Sequence, residues 1–286
     1  MIKMAAEILD GKKVAEKARE KIKNEVKALK RKPGLAVILV GEDPASKIYV
    51  KMKERACAEV GYYSEKHVLK EDISQEEVLE LIKKLNEKSS IDGILIQIPM
   101  PKHLNESKIL NSVLPEKDVD GFSWNSLGKI MSNEEEILPA TPKGIIRLLD
   151  EYGIAIEGKN AVIVGRSKIV GRPLALMLLN RNATVTVCHT KTKNLEEHTK
   201  NADILVAACG VAKMIKKNMV KKGAVVIDVG TNKTEFGLCG DVDFEAVKDV
   251  AGYITPVPGG VGPMTIAMLI ENTLELARMH DEKNNL

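Results

Sequence analysis

Aromatic side chains are scarce in this 286-residue chain, which has one Trp, five Tyr and three Phe. A core without large rings must be filled by aliphatic side chains, which suits parallel sheets of Val, Ile and Leu covered by helices. Cysteine is equally sparse. Cys57, Cys188, Cys209 and Cys239 lie far apart with no C-x-x-C pair, so a disulfide framework is not expected and reduced thiols in a cytoplasmic protein are the simplest account. Neither sign of charge is in excess: 43 basic against 40 acidic residues leave a net charge of +3, which gives no footprint for nucleic acid. Long apolar runs are missing too. The longest uncharged one, "ILVAACGVA" at 204–212, is far too short to cross a bilayer, and no signal peptide is visible. At 44% hydrophobic and 29% charged, the composition leaves no case for disorder.

What is present is alternation. The lysine-rich opening, residues 11–32, reads as a solvated amphipathic helix with Val14, Ala18, Ile22, Val26 and Leu29 as its buried stripe. Its interspersed Glu16, Glu20 and Glu25 argue against a nucleic-acid arm or a transit peptide. Strands are expected at 35–40, 63–69 and 93–99, and helices at 44–60, 74–88 and 105–112; Ser74 with Glu77 forms a capping box and Gly61 a stop. Residues 113–141 then carry turn residues and little periodicity, a length that usually marks function or a domain crossing. A helix over 142–152, capped by Thr141, opens a second series: strands at 160–164, 183–188, 203–207 and 224–229, helices at 171–180 and 194–200, and a last helix over roughly 264–280. Such alternation predicts two parallel α/β lobes with a cleft between them.

The stretch "AVIVGRSKIVGRP" at 161–173 reads as strand, glycine turn and helix. Gly165 ends the strand, but Ser167 and Val170 stand where G-x-G-x-x-G would place its second and third glycines, and Gly171 comes one step late. The helix start attracts phosphate through its free N–H groups whatever the side chains, and Arg166 and Ser167 add a charge and a hydroxyl. An ordinary strand–helix turn is the alternative. The next strand ends in His189, Thr190, Lys191 and Thr192, where an NAD site would carry an acid for the ribose hydroxyls. If a dinucleotide binds here, these residues favour NADP over NAD; a lysine-rich surface turn would explain them otherwise.

Taken together, "SKIYVKMKERACAEVG", "ILIQIPMP", "PEKDVDGF", "GRSKIVGRP", "VTVCHTKT" and "PVPGGVGPMTIAMLIENT" resemble, in order and over nearly the whole chain, the bifunctional methylenetetrahydrofolate dehydrogenase/methenyltetrahydrofolate cyclohydrolases. The stretch from Pro258 through "GGVGPMT" is the most specific, and "PEKDVDGF" nearly as strong. Departures are small: "QIPMP" for the usual Q-L-P-L-P, "PATP" for P-C-T-P, and Thr190 for serine. The resemblance implies an N-terminal three-layer α/β catalytic domain over 1–138, completed by the last helix, 264–286, and a Rossmann-like NAD(P)-binding domain over 139–263. It also implies tetrahydrofolate one-carbon substrates, NADP and a homodimer.

The same resemblance assigns residues. Lys53 is implied as the proton-transfer group, and Ser46, Tyr49 and Lys53 share one face of helix 44–60. Tyr49 would flank the pterin. Gln97, at the end of a buried strand, would aim Lys53, although a satisfied structural glutamine is the alternative. Asp120 resembles the carboxylate that grips the pterin's amino and ring N–H groups, while Asp118 would tie down its loop. Pro258, Gly259 and Gly260 are implied near the folate and nicotinamide, and Gly165, Arg166, Ser167, Gly171, His189, Thr190 and Thr231 around the cofactor. The histidines at 67, 103, 198 and 280 form no ligand-like cluster, so no metal is expected. A monofunctional relative and a binding module without turnover remain alternatives, although a binding module has no need of a titratable lysine.

Overall fold

The structure, a computed structural model, describes residues 6–235 and 237–284. Contacts divide the chain into two units. One holds the residues up to Ala15 with Thr141–Thr265; the other holds Glu16–Ala140 and the chain from Ile266 onward.

The described chain opens with a two-residue strand β1 (Glu7–Ile8) and helix α1 (Gly11–Lys27). There follow β2 (Gly34–Val40), α2 (Pro44–Val60), β3 (Tyr63–Leu69), α3 (Gln75–Glu87), β4 (Gly93–Ile96) and a short α4 (Glu106–Leu110). Local chemistry sets their ends. The Asp43 carboxylate accepts from the Ser46 amide and Pro44 pre-sets the first turn of α2, which stops at Gly61 in the left-handed region, φ 89°. Ser74 and Glu77 form the expected capping box on α3. Helix α1 ends earlier than its stripe predicts, at Lys27, leaving Leu29 half-buried beyond it.

β2 lies at the centre of a three-stranded parallel sheet in the order β3-β2-β4, with Ile38 opposite both His67 and Ile96. All seven β2 residues are buried, and Ile38, Ile82, Ile94 and Ile109 anchor an aliphatic core. Because strand order reverses at β2, ligand groups belong beyond the carboxyl ends of β2 and β4. The segment 113–141 proves less irregular than its sequence suggests. It contains α5 (Trp124–Met131), capped by the Ser123 hydroxyl, whose one fully buried apolar residue is Ile130. Eight residues with Gly128 in the middle are too few for a clear period.

The second unit begins with α6 (Ala140–Glu151), so Thr141 sits inside the helix rather than capping it, and its hydroxyl pairs with that of Thr265 at 2.9 Å. It continues through β5 (Asn160–Val164), α7 (Gly171–Asn180), β6 (Thr184–Cys188), α8 (Leu195–Thr199), β7 (Ile204–Ala207), β8 (Val225–Asp228), a hairpin of β9 (Asn232–Thr234) and β10 (Gly237–Cys239), α9 (Phe244–Val247) and β11 (Tyr253–Ile254). Helix α10 (Val261–Asn284) follows. Six strands form a parallel sheet in the order β1-β11-β8-β7-β5-β6. Its order reverses at β5, which places Gly165 at the switch point. β1 pairs Glu7 with Tyr253 and Ile8 with Ile254. The first residues therefore join this sheet, whereas the expected domain 1–138 put them with the other unit. A two-residue strand has no period to read.

Candidate active site

On α2, Val50 and Cys57 face the core, Ser46 is buried, and Tyr49 and Lys53 are half-buried. The Lys53 amine donates to Gln97 Oε1 at 3.0 Å. Gln97 follows β4 directly, its amide donating to the Ile38 carbonyl and its Nε2 to the Ile98 carbonyl at 2.7 Å. That second bond fixes which end of the side-chain amide meets the lysine: the oxygen. Burial lowers the proton affinity of Lys53, opposed by the Asp120 charge. Burial likewise pushes the Asp120 carboxyl up to about 6, opposed by Lys53 and reinforced by Asp118. An amine shifted down and a carboxyl shifted up thus share one desolvated place, each displaced toward the neutral range where protons are exchanged.

The chain around Asp120 is held from two sides. Asp118 accepts from the Phe122 and Ser123 amides and from the Ser126 hydroxyl, in line with its expected duty in the loop. From α10, the buried Asn272 donates to the carbonyls of Val119 (2.9 Å) and Leu138 (2.8 Å). Sequence reasoning missed Asn272. Nothing in "IENT" marks a residue whose partners lie 153 and 134 positions away in the chain.

The other unit holds the glycine turn. Gly165 has φ +135°, and a Cβ there would lie 2.1 Å from the Ala208 carbonyl oxygen; a Cβ on Gly171 would lie 2.2 Å from the Gly165 oxygen. Both glycines are therefore demanded by close backbone approach. The Ser167 oxygen accepts from the Val170 and Gly171 amides at 3.1 and 3.3 Å, leaving its O–H to donate outward, beside the exposed Arg166. At the end of β6, the Thr192 hydroxyl accepts from the His189 amide and His189 Nδ1 from the Lys191 amide, so Thr190 and Lys191 stand exposed on a closed turn. Thr231 is exposed after β8. Pro258, Gly259 and Gly260 lie between β11 and α10, in this unit and not with Lys53. The Gly259 carbonyl accepts from the Lys12 amide, and a Cβ on Gly11 would lie 1.9 Å from the Gly260 oxygen.

The structure thus brings Ser46, Tyr49, Lys53, Gln97 and Asp120 into one unit and Gly165, Arg166, Ser167, Gly171, His189, Thr190, Thr231 and the 258–260 loop into the other. Among the described residues, no helix is long and apolar enough to cross a membrane.

Residues 9–120 match the family described as tetrahydrofolate dehydrogenase/cyclohydrolase, catalytic domain, and residues 139–281 match its NAD(P)-binding domain. The chain is 55% identical to "Bifunctional protein FolD" of a Nitratiruptor species, over 95% of this chain and 98% of that protein. It resembles the crystal structure of the bifunctional enzyme FolD-methylenetetrahydrofolate dehydrogenase/cyclohydrolase from Campylobacter jejuni, with a TM-score of 0.95 at 49% identity, covering 99% of this chain and 100% of that one. It also resembles the Trypanosoma brucei methylenetetrahydrofolate dehydrogenase-cyclohydrolase, complexed with NADP cofactor and inhibitor, with a TM-score of 0.93 at 35% identity over 96% and 98% of the two chains.

Proposed function

Because the chain belongs to the tetrahydrofolate dehydrogenase/cyclohydrolase family, we infer that it oxidises 5,10-methylenetetrahydrofolate with NADP and hydrolyses the resulting 5,10-methenyl cation to 10-formyltetrahydrofolate. The observation that carries the residue assignment is the hydrogen bond from Lys53 to an oriented Gln97, with the Asp120 charge acting on the same amine.

The oxidation needs chiefly that donor and acceptor rings meet face to face, so positioning dominates it. When bound, the nicotinamide supplies the hydride acceptor. The turn fits such a ligand. Gly165 and Gly171 let the turn close tightly on the Ala208 and Gly165 carbonyls, and on it the exposed Arg166 and the Ser167 hydroxyl supply a charge and a donor for a phosphate. Residues 189–193, His-Thr-Lys-Thr-Lys, contain no acid to repel a 2′-phosphate, which supports NADP over NAD; the Trypanosoma brucei relative, complexed with NADP, supports it further.

Hydrolysis calls for a base. In its neutral form Lys53 takes a proton from the water that bonds to the methenyl carbon. It returns that proton to the ring nitrogen as the carbon–nitrogen bond breaks, and the hydroxyl proton leaves as the formyl carbonyl forms. Gln97 holds the amine in aim. Asp120, ionised above about 6, accepts from the pterin's amino and ring N–H groups, with Tyr49 against the flat ring and Ser46 beside it. The reading extends to a cytoplasmic homodimer: the four cysteines are free, as a reducing compartment favours, and sedimentation of the full chain checks the dimer.

The test supplies 5,10-methylenetetrahydrofolate with NADP+ or NAD+ and follows reduced nicotinamide, then supplies 5,10-methenyltetrahydrofolate and follows its loss against buffer. Both signals, with NADP+ preferred, are expected. Folded protein that yields neither would reject the assignment.

A further inference from the structure

Two buried carboxylates have no part in the chemistry above. Asp228 ends β8 and Asp241 follows the β9–β10 hairpin; their residues are 3% and 0% exposed. The Asp228 carboxylate accepts from the amides of Gly230 (3.0 Å), Asp241 (2.8 Å) and Val242 (2.9 Å). That of Asp241 accepts from the amides of Cys209 (2.7 Å) and Gly210 (2.8 Å) and from the Asn232 side chain (2.9 Å). The two are interlocked through glycine. A Cβ on Gly240 would lie 1.8 Å from Asp228 Oδ2, and one on Gly230 would lie 2.2 Å from Asp241 Oδ1. The Asp228 amide in turn donates to the Thr255 hydroxyl at 2.7 Å, directly after β11.

Two like charges buried side by side are costly, and burial with the neighbouring charge pushes Asp228 up to about 6. The same strand ends could be tied by neutral side chains, so such a pair calls for a reason. Its partners supply one. They are the connections that leave β7 and β8 at their carboxyl ends, beyond the switch point at β5, where parallel α/β sheets take their ligand. Exposed Thr231 stands between Gly230 and Asn232, each held by one of the two carboxylates. The N–H groups of Cys209, Gly210 and Gly230 are all committed inward, so at these positions the carbonyl oxygens, with the exposed Thr231 beside them, are what a ligand meets. That set suits the carboxamide and ribose donors of a nicotinamide nucleoside rather than a phosphate.

Resting on the NADP reading above, we propose that Asp228 and Asp241 are positioning residues that hold the 209–210 and 230–232 loops in the shape that receives the nicotinamide end of NADP. Asn232 is the third member of the clasp.

The test measures NADP+ affinity by calorimetry for the full chain, beside the affinity for adenosine 2′,5′-bisphosphate, which carries only the phosphate end, and the cyclohydrolase rate, which needs no nicotinamide. Asn232→Ala removes the 241–232 bond and Asp241→Asn removes the charge that holds the clasp; each is expected to weaken NADP+ binding by about tenfold, the bisphosphate and the cyclohydrolase rate staying within about twofold. The exchange Asp241→Asn with Asn232→Asp reverses donor and acceptor in that bond and should recover most of the loss. Unchanged NADP+ affinity in both single variants overturns the proposal. So does equal weakening of the two ligands, or a cyclohydrolase rate that falls in step with binding. If Asp241→Asn does not fold, Asn232→Ala decides alone. A wild-type chain that binds no NADP+ removes the underlying reading instead.

Discussion

Burial lowers the proton affinity of the Lys53 amine while the Asp120 charge raises it, and the balance falls on the lowered side. Replacing Gln97 by Glu would set a second carboxylate against that amine and favour its charged form. The expected result is a cyclohydrolase profile whose ascending, acid-side limb moves to higher pH, with less activity at pH 7, read from initial rates across pH. Asp120 tests the opposite sign. Its carboxyl binds its proton more tightly in the fold than in the unfolded chain, about 6 against 3.8. Above 3.8 the unfolded state sheds the proton first, so this group removes stability as pH rises from about 4 to about 6. Asp120→Asn should therefore unfold later than wild type at pH 7 and lose that part of the pH dependence, while folate affinity collapses. Equal stability of the two proteins across this window would contradict the buried, displaced carboxyl.

Among the elements, Asp92, just before β4, ties several together. It accepts two hydrogen bonds from Arg31, one from the Gly34 amide at the start of β2, and pairs with His280 on α10. Burial opposes the charge, but these partners overcome it and hold the carboxyl down at about 2. A depressed carboxylate contributes stability above 3.8 that disappears as pH falls through about 2. Asp92→Asn strands the Arg31 charge and should cost about 3 kcal/mol at pH 7 by chemical denaturation. The difference from wild type should shrink in acid; a constant gap down to pH 2 would show that the charge is not what matters. Asn272 acts between elements in the same way, and Asn272→Leu, which takes this donor from the Val119 and Leu138 carbonyls, should destabilise by about 2 kcal/mol in the same assay.

For the whole molecule, the residues assigned to the two activities fall into different units, and that division can be measured. Gly165→Ala drives a methyl group into the Ala208 carbonyl at a backbone angle that side chains avoid. NADP+ affinity and hydride transfer should fall together while cyclohydrolase turnover survives. Lys53→Met should do the reverse, lowering hydrolysis by about 10²-fold or more and sparing part of the hydride transfer. Loss of both activities in folded Gly165→Ala, or in folded Lys53→Met, would show that the partition is wrong. Much of this was legible in the chain itself. The strands expected at 35–40, 160–164 and 203–207, the Ser74 capping box and the Gly61 stop became the elements they implied, and that expected at 93–99 formed but ended at Ile96, because buried parallel strands and helix ends are local chemistry. Short pieces were not legible: β1, β11, the β9–β10 hairpin and α5 are too brief to carry a period and form only because a neighbour completes them.

By itself, then, the order of residues determined two parallel α/β layers, a strand–turn–helix at 160–180 with Ser167 and Val170 at the usual glycine places, and a lysine on one helix face with Ser46 and Tyr49. Folding decided what could be said of that lysine's proton. The Gln97 oxygen reaches it across 44 positions of chain, and the peptide before Asp120 is held by Asn272 across 153. Proton affinity depends on burial and on charges gathered through space, and a linear pattern carries neither.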